Sequence, residues 1–442
     1  RFSSCVFTGD LGFRPVQNPY DCVIRTENAS AMILRPKSGF VFACVFLDAL
    51  GIGLIIPVLP RLIGTLSTSQ DMQTWWYGAI MVSYGLMQFL SSPLLGALSD
   101  KLGRRPVLLV GILGLGLTFA VPAFFASLPL ILASRIVGGA LSANTVVAQA
   151  YISDITSGKE RAAMFGRLGA VFGLGLIVGP AIGGLAGQTD PAFPFVLASA
   201  LALLNFLYGA LFLPESLPTD KKTPASFTTL NAFLTLPRLL KKEESRPFFL
   251  VFGLTALANS LLQCTWALYT EFRYGFTPLL IGLSIFALGA SMSFIQGFAL
   301  KPLLTHYKAS HIIVVSLWAS SLCLVGIALS PVGLFAVFFC CAYSIGGTVG
   351  PILTSAISRT TSADDQGKNI GALNSLGALM GAVAPAIGTP LLTVVIGHPS
   401  GPVAGLPYFT CALLVLAALC VFRKKASSIT DQIRDSDLTQ TP

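Results

Sequence analysis

Apolar runs of about 20 residues recur along this chain, each long enough to cross a hydrocarbon core ~30 Å thick. They cover Ser38–Leu62, Trp75–Leu98, Pro106–Phe125, Leu128–Ile152, Met164–Gly187 and Phe193–Leu213. After a charged interval come Pro247–Leu268, Pro278–Leu300, His311–Leu329, Leu334–Ser355, Ile370–Ile396 and Val403–Phe422. Lipid satisfies no backbone N–H or C=O, so runs of this length can only be helices. The expected fold is therefore an all-α membrane protein of 12 transmembrane helices in two pseudo-symmetric six-helix halves.

Composition excludes the soluble alternatives. The 442 residues are 54% hydrophobic and only 11% charged, against about a quarter charged in soluble domains. The 43 glycines and 27 prolines lie largely inside the apolar runs, as in closely packed membrane helices. The nine cysteines show no CxxC or metal-like spacing and read as small apolar residues. In a soluble chain a net charge of +9 would suggest nucleic acid. Here position matters more, because the basic residues collect in alternate loops. Lys101, Arg104, Arg105, Lys159 and Arg161 share one side with the termini, whereas Arg61 and Arg273 alone fall opposite. The positive-inside rule then places both termini in the cytoplasm. The chain divides into an extension (1–31, with Met32 a natural start), a first half (32–213), a cytoplasmic linker (214–246), a second half (247–425) and a tail (426–442). No nucleic-acid partner is expected; the partners are the bilayer, protons and a small-molecule substrate, with the chain a monomer.

The halves repeat one another. Val178-Gly-Pro-Ala-Ile-Gly183 aligns with Val383-Ala-Pro-Ala-Ile-Gly388, and in the same register Gly166 meets Gly371 and Leu168 meets Leu373. Repeats of this kind place a substrate site between the halves of a transporter.

Four features carry chemistry. The loop Gly96-Ala-Leu-Ser-Asp100-Lys101-Leu-Gly103-Arg104-Arg105-Pro106 combines a glycine turn with an acid and a forked arginine. Asp154 is its expected partner for Arg104. A merely basic loop would explain the charge but not the Gly–Asp–Gly–Arg spacing. In the fifth span Gly175, Gly179, Pro180, Gly183 and Gly184 give one face that allows close backbone approach. In the first span Asp48 is read as the only acid well inside any span. An ionised carboxylate there costs about 2.5 kcal/mol or more, so it suits a group that takes up and releases protons. An Asp that caps a helix or hydrogen-bonds neighbouring helices is the plainer alternative. Arg135 is the lone intramembrane arginine, either part of a cavity wall with Gly139 and Ser142 or a tether onto a first-span carbonyl. Tyr84 and Gln88 in the second span, with Asn259, Gln263 and Trp266 in the seventh, lie at spacings that could line a substrate cavity, though aromatics at such spacing are more often ordinary packing, the better reading for any one of these residues.

The loop from Gly96 to Pro106 resembles the signature of the major facilitator superfamily, and the likeness extends over all twelve spans. Within that superfamily the chain is similar to bacterial tetracycline/proton antiporters. The resemblance is carried by Asp48-Ala-Leu-Gly-Ile-Gly-Leu-Ile-Ile-Pro-Val-Leu-Pro60, Tyr84-Gly-Leu-Met-Gln-Phe89, Phe172-Gly-Leu-Gly-Leu-Ile-Val-Gly-Pro180 and Trp266-Ala-Leu-Tyr-Thr-Glu-Phe-Arg273. It implies a non-enzymatic proton-coupled efflux antiporter of the bacterial inner membrane, without cofactor, driven by the proton gradient. Its cargo would be an amphipathic drug-like molecule, with tetracycline the leading candidate. It also implies that Asp100 and Arg104 latch the cytoplasmic ends together, that the fifth-span glycines are an antiporter signature and that Arg135 joins Asp48 in proton coupling. The family's eighth-span histidine and ninth-span acid are replaced by Met292 and by Ser320 or Ser321, which weighs against magnesium–tetracycline as cargo. The second-half counterpart of the loop has Thr305 where Asp100 stands, so the latch is asymmetric. A proton-linked importer or uniporter is the alternative. An ATP-driven pump lacks its GxxxxGK[ST] loop, and His306, His311 and His398 sit near span ends, unlike redox ligands.

Overall fold

Eleven helices among the described residues are long and apolar enough to cross a membrane, and a bent pair makes the twelfth crossing. The computed structural model describes residues 38–217, 246–359, 363–397 and 401–425, apart from 143 and 157. The expected extension, most of the linker and the tail lie outside these residues.

The first crossing joins α1 (Ser38–Ile55) to α2 (Leu59–Leu66) through a 44° bend. Pro57 sits in the break and has no N–H to continue the ladder, while Pro60 starts the new helix without leaving a donor unsatisfied. The rest of the first half is α3 (Gln70–Leu102), α4 (Arg104–Phe124), the broken pair α5 (Leu128–Leu141) and α6 (Asn144–Ile155), α7 (Gly158–Ala186) and α8 (Phe193–Phe212). The second half begins with α9 (Arg246–Tyr274). Its eighth crossing runs through α10 (Pro278–Phe294), a π turn (Ile295–Ala299) and α11 (Leu300–His306). Then come α12 (Ala309–Leu329), a tenth crossing of α13 (Gly333–Tyr343), a 3₁₀ turn (Ser344–Thr348) and α14 (Val349–Arg359), α15 (Ala363–Gly397) and α16 (Leu406–Lys425). Several helices extend beyond the apolar runs. α3 begins at Gln70 because Ser69 Oγ accepts from the Met72 N–H at 3.2 Å and caps it.

The internal repeat is visible as equivalent packing. In the first half α7 lies along α1, and in the second α15 lies along α9. A methyl on Gly183 would sit 2.0 Å from the Leu54 carbonyl oxygen, and one on the aligned Gly388 would sit 2.7 Å from Thr265. Both positions leave no room for a methyl, the first against backbone and the second against side chains.

Two helix pairs join the halves, α3 with α15 and α7 with α10. Their glycine contacts concentrate at the end away from the basic loops. Gly78 faces Thr389, Gly85 faces Ala382, Gly184 faces Pro278 and Gly282 faces Pro180. Tyr77 donates from α3 to the Cys264 carbonyl of α9 at 2.9 Å. Toward the basic end, Gly166, Gly169, Gly173, Gly297 and Gly371 meet nothing within 4 Å. The halves are closed against each other at one end and part toward the other.

Gly183→Ala should destabilise the fold by roughly 1–3 kcal/mol, the usual scale of overpacking, because the new methyl meets backbone. Gly173→Ala, with open space around it, should be neutral. Thermal unfolding of the two variants in detergent checks the contrast; equal melting temperatures would refute it.

Candidate functional site

Asp48 is buried on α1 and held by two amides from other crossings. Asn144, at the start of α6, donates Nδ2–H to Asp48 Oδ2 at 2.5 Å. Asn205 on α8 donates to Asp48 Oδ1 at 3.1 Å and to the Cys44 carbonyl at 3.0 Å. The break between α5 and α6 brings Asn144 to this place, with Gly111 of α4 leaving room for its side chain. Asp48 opens onto a cavity of about 40 Å³ that it shares with Gln88, Ser142, Asn144 and Phe172. A water needs roughly 10–15 Å³ of such space, so the carboxyl has room for one beside it. Gln88 donates to Ser142 Oγ at 2.8 Å across this cavity.

The fifth-span glycines seat the helix that carries Asp48. Methyls on Gly175, Gly179 and Gly183 would strike α1 at Phe46 to Leu54, and one on Gly53 would strike Pro180. The next face of α7 meets the other half, with Gly184 against Pro278 and Pro180 against Gly282. One helix therefore touches both the buried carboxyl's helix and the interface between halves.

Arg135 is buried but forms no ion pair with Asp48. Its Nη2 donates to the Thr118 carbonyl at 3.4 Å, its guanidinium lies 5.2 Å over the Phe119 ring, and its Nε has no partner. The tether expected on the first span falls on the third. Tyr84 faces both Arg135 and Ser142, linking the arginine to the cavity through a phenol.

The loop after α3 makes a charge cluster wholly within the first half. Arg104 lies 2.5 Å from Asp100, donates Nε–H to Asp154 at 3.0 Å and Nη1–H to Ser99 Oγ at 2.7 Å. These are the ion pairs among the described residues. Gly103 turns at φ 112°, which opens the first amides of α4. Those amides go to Glu215, not to Asp100: Arg104 N–H donates at 2.9 Å and Arg105 N–H at 3.2 Å. A carboxylate there offsets the positive end of the helix. Arg105 reaches the Ala210 carbonyl at 2.6 Å, and Ser216 Oγ donates to Asp154 at 3.0 Å. The loop is tied to the last residues before the linker, and Gly96 joins it through its carbonyl, which accepts from Ser99 Oγ at 2.7 Å.

Of the other residues expected in a cavity, Trp266 belongs to the second-half core. It is 2% exposed, donates to Ser284 Oγ at 2.8 Å and meets Tyr408 edge-on. Asn259 is half-buried and Gln263 exposed. Asn144, Asn205 and Glu215 escaped the sequence reading: Asn205 is a lone polar residue in an apolar run, whereas Asn144 is obscured by Ser142 and Thr145 and Glu215 by the start of the linker.

The chain matches the family model of the Major Facilitator Superfamily over residues 41–385. It is 33% identical to the Tetracycline resistance protein, class C, of Escherichia coli, covering 88% of this chain and 96% of that protein. It is 36% identical to the class D protein of Salmonella ordonez, covering 77% and 85%. The crystal structure of the human organic anion transporter MFSD10 (TETRAN) superposes with a TM-score of 0.64 at 26% identity, covering 87% of this chain and 98% of that one.

Removing the cap at Glu215 strands two amides, so Glu215→Ala should lower stability by about 1–2 kcal/mol. Glu215→Gln, which keeps one acceptor, should recover part of that. Melting temperatures of the two variants give the answer, and an unchanged Glu215→Ala would show that the cap is idle.

Proposed function

The chain belongs to the major facilitator superfamily, and from that premise we propose that it is a proton-coupled efflux antiporter for an amphipathic drug-like molecule, with tetracycline the leading candidate. The observation that carries the reading is Asp48: a membrane-buried carboxyl, held by two amides, beside a cavity with room for water. Carboxyls so placed are functional by default. The likeness to tetracycline resistance proteins supports the export direction and the cargo class.

Proton coupling follows from the placement. With the basic end in the cytoplasm, the parted halves face inward, and cargo enters the cleft from that side. Asp48 exchanges its proton as access to it alternates. α7 connects its helix to the partner half, so a change at Asp48 bears on the interface that must rearrange. Arg135 acts on the same cavity through Tyr84 and Ser142. Asp100 and Arg104 belong to the basic end; with the halves parted, their described bonds stay inside the first half. Their latch works in the opposite state, when the basic ends meet.

A second reading of the cargo, an organic anion, is supported by the likeness to MFSD10 and by the lack of a ninth-span carboxyl, where Ser320 or Ser321 stands. A proton-linked importer would differ in flux direction under an imposed pH gradient.

In liposomes carrying a pH gradient, Asp48→Asn should cut driven drug flux by about two orders of magnitude, the scale of losing a positioned proton-transfer group. Expression should persist, because asparagine fits the same site. Coupled flux equal to the parent's would remove Asp48 from the mechanism. Asp100→Ala should slow turnover by about tenfold while changing cargo affinity little, since a latch biases conformations without touching cargo. An affinity loss as large as the rate loss would place Asp100 in the binding site instead.

A further inference from the structure

A second buried acid lies at the closed end of the molecule, and neither the sequence reading nor the proposed cycle uses it. Glu271 stands in the last turns of α9, and its Oε2 is fully buried without a hydrogen-bond partner. In the sequence it lies beyond the seventh apolar run, inside the segment Trp266–Arg273 that carries the family resemblance, with no role assigned to it. It lines a cavity of about 210 Å³ with Arg61, Phe276, Thr277 and Pro278. That volume holds several waters and lies where the halves meet.

The cation facing Glu271 comes from the other half. Arg273, two residues along, is turned away. It donates to the Ala328 carbonyl at 3.0 Å and to the Tyr269 hydroxyl, and lies over the Tyr269 and Tyr274 rings. Arg61, on the piece of the first crossing beyond its bend, lines the same cavity from the first half. The titratable and charged groups facing Glu271 are Arg61 from α2 and Tyr77 from α3. Gln73 of α3 also faces it, while donating to the Pro60 carbonyl at 2.9 Å.

We infer that Glu271 is a second proton-exchanging carboxyl of the transport cycle, open to the medium at the end opposite the basic loops, and that its ionised form holds this end shut through Arg61. The inference rests on the reading of the chain as a proton-coupled exporter. The balance is simple. A proton from the outer medium adds to the carboxylate, the attraction to Arg61 is lost and the end can part. Loss of the proton to the same side restores the attraction and the closure. Outer acidity thus favours the state from which cargo leaves, which is the sign an exporter needs. The orphaned Oε2 fits this role, because it leaves one carboxylate oxygen free to take the proton.

The test uses the full chain in two assays. Hydrogen–deuterium exchange, corrected for intrinsic rates, should show residues 59–66 and 70–78 exchanging about threefold faster at about pH 5 than at about pH 8. In Glu271→Gln, which cannot ionise, the fast pattern should hold at both pH values. Arg61→Gln should do the same, and Glu271→Asp should keep the parent's response. In liposomes, Glu271→Gln should lose most pH-driven drug flux while still binding drug. A parent whose exchange ignores pH, or a Glu271→Gln that responds as the parent does, would overturn the inference. Absence of driven flux in the parent is a failure of the export reading and is told apart from this one, since the exchange data need no cargo.

Discussion

Helices surrounded by lipid gain no hydrophobic free energy by touching one another, so association depends on how closely their backbones can approach. In this molecule that constraint is met chiefly on α7. Three of its glycines, one helical turn apart, receive α1, and the adjacent proline and glycine receive α10 of the other half. A side chain at any of these positions would meet carbonyl oxygen or Cα, not the movable end of a neighbour. The buried carboxyl and the interface between halves are thereby fixed to one rigid element. Any shift that separates α7 from α10 is felt at the helix of Asp48, with no relay of side chains required.

Charge is arranged unequally between the halves. In the first, Arg104, Asp100, Asp154, Ser99 and Glu215 satisfy one another and tie the loop after α3 to the threshold of the linker. The equivalent place in the second half has exposed Thr305, whose hydroxyl reaches the Pro302 carbonyl and the His306 ring within its own turn. The second half instead contains irregular backbone. The π turn of the eighth crossing and the 3₁₀ turn of the tenth lie side by side, joined where Gln296 donates to the Gly347 carbonyl at 3.2 Å. Such turns relax the regular helical ladder and let a crossing change shape. The first half thus has the character of a stiff body and the second that of a deformable one.

The crossings were legible because lipid makes length and apolarity sufficient evidence for a helix, and the repeat was legible because Val178–Gly183 and Val383–Gly388 keep nearly the same residues where each helix packs tightly on its neighbour. The Gly–Asp–Gly–Arg loop was legible by its spacing, down to Asp154. The partners of Asp48 were not. An asparagine in an apolar run looks like any amide that bridges helices, and nothing in the spacing of Asn144 and Asn205 shows that they converge on one carboxyl. Glu271 was overlooked because aromatic and basic residues beside it resemble an interfacial boundary. The breaks in the fourth, eighth and tenth crossings have no proline inside them, so the chain gave no sign of where its helices would yield. Trp266 had the spacing of a cavity residue, but its indole N–H found Ser284 and its ring found Tyr408, which drew it into the core.

Closure at one end and charge at the other together limit what the molecule can do next. At the closed end the contacts are mostly backbone against glycine, short and indifferent to pH, so they supply fit without control. Control there falls to the few ionisable groups that look across the boundary. At the basic end the order is reversed. Arg104 is 9% exposed and held by Asp100, Asp154 and Ser99, whereas the Asp100 side chain is 40% exposed. In the proposed cycle, this exposed carboxylate would meet its donors when the basic ends close. The two ends thus call for different chemistry: one is fitted now and must be loosened, the other is loose now and already has the acceptor it needs. A body built this way favours one end shut at a time, which is the condition for moving a molecule across a membrane without leaving a continuous path through it.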